Sequence, residues 1–185
     1  MGALNTKGEI TMRVQTSTSS RAGRTTRARS TSKSKAKEQT AIELLSKDHD
    51  EVEKLFKQFQ KMSRDGGRKM EIVRQICTAL TVHAEIEEEI FYPAVREALG
   101  EKGESLMDEA AVEHEGVKTL VQQIESTRGN DEMLTARMTV LCEYVMHHVK
   151  EEEGKIFPKA KRARLDMEEL GAELLERKME LMEQA

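Results

Sequence analysis

Two histidines in this chain, His83 and His148, are each followed four residues later by a glutamate, Glu87 and Glu152. Residues i and i+4 of a helix share a face and lie about 6 Å apart, so each pair would project as one unit. Imidazole beside carboxylate can relay protons or bind a metal. Both pairs lie in acidic runs, "HAEIEEEIFYP" and "HHVKEEEGKIFP", of the kind that a solvated helix face also carries. The chemistry therefore depends on what else shares that face.

The chain matches itself at an offset of 65 residues, without a gap. His49 maps to His114, Val52 to Val117, Leu55 to Leu120, Gln58 to Gln123, Cys77 to Cys142, His83 to His148, Glu87 to Glu152 and Pro93 to Pro158. An amphipathic repeat would reproduce the apolar positions alone. It would not reproduce the histidines, an inward glutamate and a proline together. The offset also selects His148 over its neighbour His147, which shares its face with Glu143, Glu151 and Gly154.

His49 and His114 stand on apolar stripes of their own. Four imidazoles and two carboxylates, from His49, His83, Glu87, His114, His148 and Glu152, are thus expected to face one interior. Two buried ionised carboxylates facing each other are costly, and a pair of divalent cations removes that cost. Each carboxylate can bridge two metals while two histidines complete each metal's ligand set. Imidazole with carboxylate suits Fe, Mn or Zn. Six protein ligands, even with an oxo or hydroxo bridge, leave an open position for O₂, NO or peroxide.

Helices must position these groups. "QTAIELLSKDHDEVEKLFKQFQKM" carries Ile42, Leu45, His49, Val52, Phe56 and Phe59 at helical spacing. The second helix is expected from Arg68 to Leu99, the third from about Ser105 to Ser126, and the fourth from about Glu132 to Arg164. "SRDGG", "GEKGES" and "TRGND" break them. A short fifth helix, Met167 to Met182, would cover the bundle or pair with another chain. Short connections make neighbours antiparallel. The expected fold class is all-α: an up-down four-helix bundle of two pseudo-symmetric hairpins, with an extra C-terminal helix.

Composition agrees. Charged residues make up 35% of the 185 and aromatics 3%, without Trp, so aliphatic residues and Met must build the core. No run reaches the roughly 18 apolar residues of a membrane span. Two cysteines form no disulfide framework, and the expected compartment is the cytoplasm. Residues 1–37 hold nine Lys/Arg against one acid, a net +8, so the rest of a chain of charge −4 carries −12. The expected organisation is a disordered basic tail over 1–37, a metal-binding bundle over 38–165 and a C-terminal helix over 166–185. The tail could contact nucleic acid through charge alone.

With "DHDEVEKLF" and "EHEGVKTL", the two acidic motifs resemble the hemerythrin-like family, the HHE cation-binding domain, over about residues 41–160. The resemblance implies a four-helix bundle around a non-haem di-iron centre, two iron ions held by the six residues named above. Oxygen-carrying members have a second histidine four residues along the third helix, where this chain has Lys118. The ligand set looks more like the branch with iron-sensing and iron-centre-repair members, yet the tail lacks the cysteine that repair proteins carry. The implied function is binding or sensing a small oxidant, a diatomic or iron; a redox enzyme and a polyanion-binding module are the alternatives. Tyr92 is read as packing near the bundle end, Cys77 and Cys142 as small apolar residues, and Pro93 and Pro158 as kinks just past each glutamate.

Overall fold

The structure is a computed structural model and describes residues 39–62, 66–127 and 132–185. The expected basic tail lies outside these residues. Helix α1, Ala41–Lys61, opens with a capping box: Thr40 accepts from the Glu43 amide at 3.3 Å, and the Glu43 carboxylate accepts from the Thr40 amide at 3.0 Å. Helix α2, Gly66–Ile86, continues through a π-helical turn, Glu87–Phe91, into α3, Tyr92–Leu99. Helix α4 spans Glu101–Glu125. Helix α5, Glu132–Glu151, passes through a second π-helical turn, Glu152–Ile156, into α6, Phe157–Arg162. Helix α7 is Met167–Gln184, capped by Asp166.

The expected kinks take the form of these π-turns. Pro93 has no N–H, and in a regular α-turn its ring would meet the carbonyl of Glu89. The turn widens instead, and the Tyr92 amide bonds to Glu87 O five residues back. Pro158 has the same effect, with the Phe157 amide on Glu152 O. Each π-turn starts at an inward glutamate. The break expected over "GEKGES" narrows to Gly100, whose φ of 57° suits a residue without Cβ. Helix α4 starts immediately after it and includes Gly103.

Contacts of α1 with α2, α2 with α4, α4 with α5 and α5 with α1 close the bundle. Two apolar clusters fill it. One joins Leu45, Ile86, Phe91, Met107, Phe157 and Leu174; the other joins Phe56, Ile76, Val121, Ile124, Met138 and Leu141. The four inward histidines lie in sequence between the two clusters on all four walls. Helix α7 lies against α1, α2 and the first π-turn, with Leu170 and Leu174 buried. A Cβ on Gly171 would stand 2.2 Å from Gln39 O, so only glycine permits this crossing. Among the described residues no helix is long and apolar enough to cross a membrane.

Candidate metal centre

All six residues singled out in the sequence are buried, and the structure brings them together in one belt. The Nε2 atoms of His49 and His83 stand 3.1 Å apart, and those of His114 and His148 stand 3.0 Å apart. The carboxylates lie between the pairs. Glu87 Oε2 is 3.2 Å from His83 Nε2 and 3.5 Å from His114 Nε2. Glu152 Oε2 is 3.2 Å from His49 Nε2 and 3.5 Å from His148 Nε2. Each carboxylate thus reaches one histidine of each pair, as a bridging ligand must.

The outer ring nitrogens decide what the inner ones present. His49 Nδ1 lies 3.0 Å from Glu153, His114 Nδ1 3.0 Å from Glu88, and His148 Nδ1 2.8 Å from Glu113. His83 Nδ1 faces Asp48 at 3.7 Å. At His49, His114 and His148 an acid bonded to Nδ1 favours the proton there and leaves Nε2 as a lone pair, whereas His83 Nδ1 and Asp48 Oδ2 lack a hydrogen-bond partner. In the neutral rings, lone pairs then face each other at hydrogen-bond distance with no proton between them, an arrangement that a cation relieves. Glu87 Oε1 and Glu152 Oε2, both buried, also lack hydrogen-bond partners.

The electrostatics follow from burial. Burial first, and then the charge of Glu152, push the Glu87 carboxyl well above the usual range. Burial would also raise Glu152, but the adjacent imidazoles of His148 and His49 outweigh it and hold that carboxyl well below. Burial and the neighbouring His148 lower His114 to about 3. Burial opposes charge on His49 and His148 too, yet Glu152 and their outer acids raise both. In the absence of metal, protons do part of the neutralising within the belt.

Three contributors had gone unrecognised or been read otherwise. Asp48 and Glu113, one residue before His49 and His114, face the rings of His83 and His148; they match at the offset of 65. Tyr92 packs as expected, but its hydroxyl also enters the site. It donates to Glu152 Oε1 at 2.8 Å and lies 3.3 Å from Glu87 and 3.4 Å from His114 Nε2. The offset pairs Tyr92 with Phe157, and both rings lie against histidines: Phe157 stacks on His49 at 5.7 Å, Tyr92 on His114 at 5.5 Å. That pairing was the available signal. On the side of the belt lined by Val52, Leu80, Val117 and Val145, the four histidines close a cavity of about 20 Å³.

Known proteins resemble this chain in fold and in sequence. A hemerythrin HHE cation-binding domain protein from Mycobacterium kansasii superposes with a TM-score of 0.66 at 20% identity, covering 77% of this chain and 86% of that one. This supports the fold alone. A protein named DNA nickase, from Nostoc sp. PCC 7120, is 37% identical over 111 residues, 60% of this chain and 30% of that protein, so this chain spans less than a third of its length. The profile of the hemerythrin HHE cation binding domain matches residues 40–160. The described fold and the matched span together place this chain in the hemerythrin HHE cation-binding family.

Proposed function

We propose that the chain binds two iron ions, bridged by an oxo or hydroxo group, and that the pair binds or senses a small oxidant or diatomic ligand. The observation that carries this reading is the convergence of four inward imidazole nitrogens on two carboxylates, each carboxylate reaching both histidine pairs. His49 and His83 would hold one ion, His114 and His148 the other, with Glu87 and Glu152 spanning them. When bound, two irons supply single-electron steps and an open coordination position.

The protein's own groups set the surroundings. Asp48, Glu88, Glu113 and Glu153 orient the rings through their outer nitrogens. Tyr92 holds a proton at the carboxylates and can donate a hydrogen bond within the belt. The valine-lined cavity has room for about one water or one diatomic molecule. Its aliphatic walls, from Val52, Leu80, Val117 and Val145, favour an uncharged guest.

The test is metal content with an optical spectrum on the untagged chain, reduced anaerobically and then exposed to O₂. About two irons per chain are expected, lost together in His83→Ala and in Glu87→Ala, because Glu87 belongs to both positions. Full loading of either variant would overturn the ligand assignment. A stable spectrum after O₂ favours a carrier or sensor, and sustained turnover of peroxide or NO favours an enzyme.

A second reading draws on the Nostoc relative's name and the net +8 of residues 1–37. In that reading the tail brings the domain to nucleic acid. It predicts salt-sensitive binding of duplex DNA that is lost on deleting residues 1–37. Binding that survives the deletion counts against it.

A further inference from the structure

The two halves of the belt are covered differently. On the His83 side, α7 packs against α1, α2 and the first π-turn and shares one apolar cluster with Ala41, Leu44, Leu45, Ile86 and Ile90. Arg177 grips Glu89 through two nitrogens, at 2.7 and 3.1 Å, and Lys178 meets Asp48 Oδ1. Asp48 turns its other oxygen toward His83 Nδ1. The ammonium of Lys178 therefore occupies the outward face of an acid that orients an inner histidine.

The offset of 65 carries this surface onto the His148 side, where no described helix covers it. Leu44, Ile86 and Ile90 become Glu109, Glu151 and Lys155, and the Arg177 anchor Glu89 becomes Gly154. Three apolar positions of the bed thus become charged, while Ala41 and Leu45 map to the apolar Leu106 and Ala110. What remains is a narrow groove whose lining includes Glu109, Glu113, Glu151 and Lys155, and which reaches His148 and Glu152. Glu152 is fully buried at its inner end, and its Oε2 accepts no hydrogen bond.

Glu113 and Glu151 of this groove belong to a second ligand-type cluster with His147, which lies outside the groove lining. Glu113 Oε1 is 3.6 Å from His147 Nε2, and His147 Nε2 is 4.0 Å from Glu151 Oε1. Candidate ligand atoms of the three residues lie within 4.8 Å of one another. Glu113 directs its other oxygen to His148 Nδ1 at 2.8 Å. One carboxylate thus faces both clusters. His147, the histidine without a partner at the offset, gains a role here. Lys155 pairs with Glu151, so a monovalent ammonium holds part of the position that a divalent cation would take.

We propose that Glu113, His147 and Glu151 form an outer, weak divalent-cation site through which ferrous iron enters the inner belt. The inference rests on the dinuclear reading above. Two part-buried carboxylates and one exposed imidazole attract a hydrated cation without holding it tightly, and the groove leads from Glu113 and Glu151 to His148 and Glu152. The α7 side is closed by a fixed ammonium, so loading is one-sided.

The experiment is anaerobic titration and stopped-flow loading of the full metal-free chain with ferrous iron, and with Mn²⁺ as a spin probe. Two tight equivalents and one weak equivalent are expected. His147→Ala and Glu151→Gln should lose the weak equivalent and slow inner loading by about tenfold, with the final tight count unchanged. Lys155→Ala removes the competing ammonium and should speed loading. Equal loading rates in the wild type and all three variants would overturn the entry role. Absence of tight equivalents in the wild type would overturn the dinuclear reading, and this inference with it. The two failures are distinct, because the tight count reports on one and the rate on the other.

Discussion

Tyr92 is where the two halves of the belt differ by one hydroxyl, since Phe157 occupies the matching position. Phe157 shows that the ring alone fits such a site. Tyr92→Phe should therefore keep the fold while removing the 2.8 Å donor to Glu152 Oε1. A buried acceptor left without its donor costs about 1–3 kcal/mol, to be read as a lower urea midpoint of the metal-free chain. An unchanged midpoint would mean that water or a neighbour replaces the hydroxyl. Cys77 offers a second check. Burial, with a smaller push from Glu125, raises its thiol to about 12, whereas Cys142 is only half-buried. Reactivity follows the thiolate, whose fraction falls as the pKa rises above the ambient pH. At neutral pH an alkylating reagent should label Cys142 first, and Cys77 labelling should grow as pH climbs toward 12. Equal rates would contradict the burial of Cys77. The six inward residues were legible because a histidine, a glutamate and a proline recurred at one offset. Asp48 and Glu113 are not legible in the same way, because an acid beside a histidine on an acidic helix also fits a solvated face.

The elements show the same division. Apolar spacing and glycine-rich breaks locate the helices to within a few residues. The π-turns are another matter. Proline signals a disturbance, but whether a helix kinks or takes up an extra residue depends on the packing around Phe91 and Phe157, which spacing does not report. Helix α7 was legible as an element and not in its placement, because its docking depends on a single missing Cβ. Gly171→Ala puts that atom 2.2 Å from Gln39 O and 2.7 Å from the Ala41 amide nitrogen, both backbone. The crossing must open, at about 1–3 kcal/mol. Expected outcomes are a lower melting temperature and faster proteolysis within 167–184. An unchanged melt would show that α7 contributes little to folding.

At the scale of the whole molecule, a charged belt interrupts the apolar core across all four walls of the bundle. Groups that fit a cation better than they fit one another weigh against the metal-free fold. Metal bound only by the folded chain adds stability by mass action. Chelation should lower the melting temperature, and the shift should grow with the concentration of free metal before chelation. A melt indifferent to metal would imply that protons alone satisfy the belt. The two cores above and below it would then carry the fold by themselves.

The duplication has one more consequence. A hairpin assembled with its own copy can surround both ions only with identical partners. Within a single chain positions 92 and 157 are free to differ, and they do, as tyrosine and phenylalanine. If the belt holds two irons as proposed, the Tyr92 hydroxyl near His114 and the Phe157 ring near His49 would make the two positions unequal. A half-reduced pair held there would then keep its valence on one ion, to be checked as a trapped mixed-valence signal in a frozen-solution resonance spectrum of the iron-loaded chain.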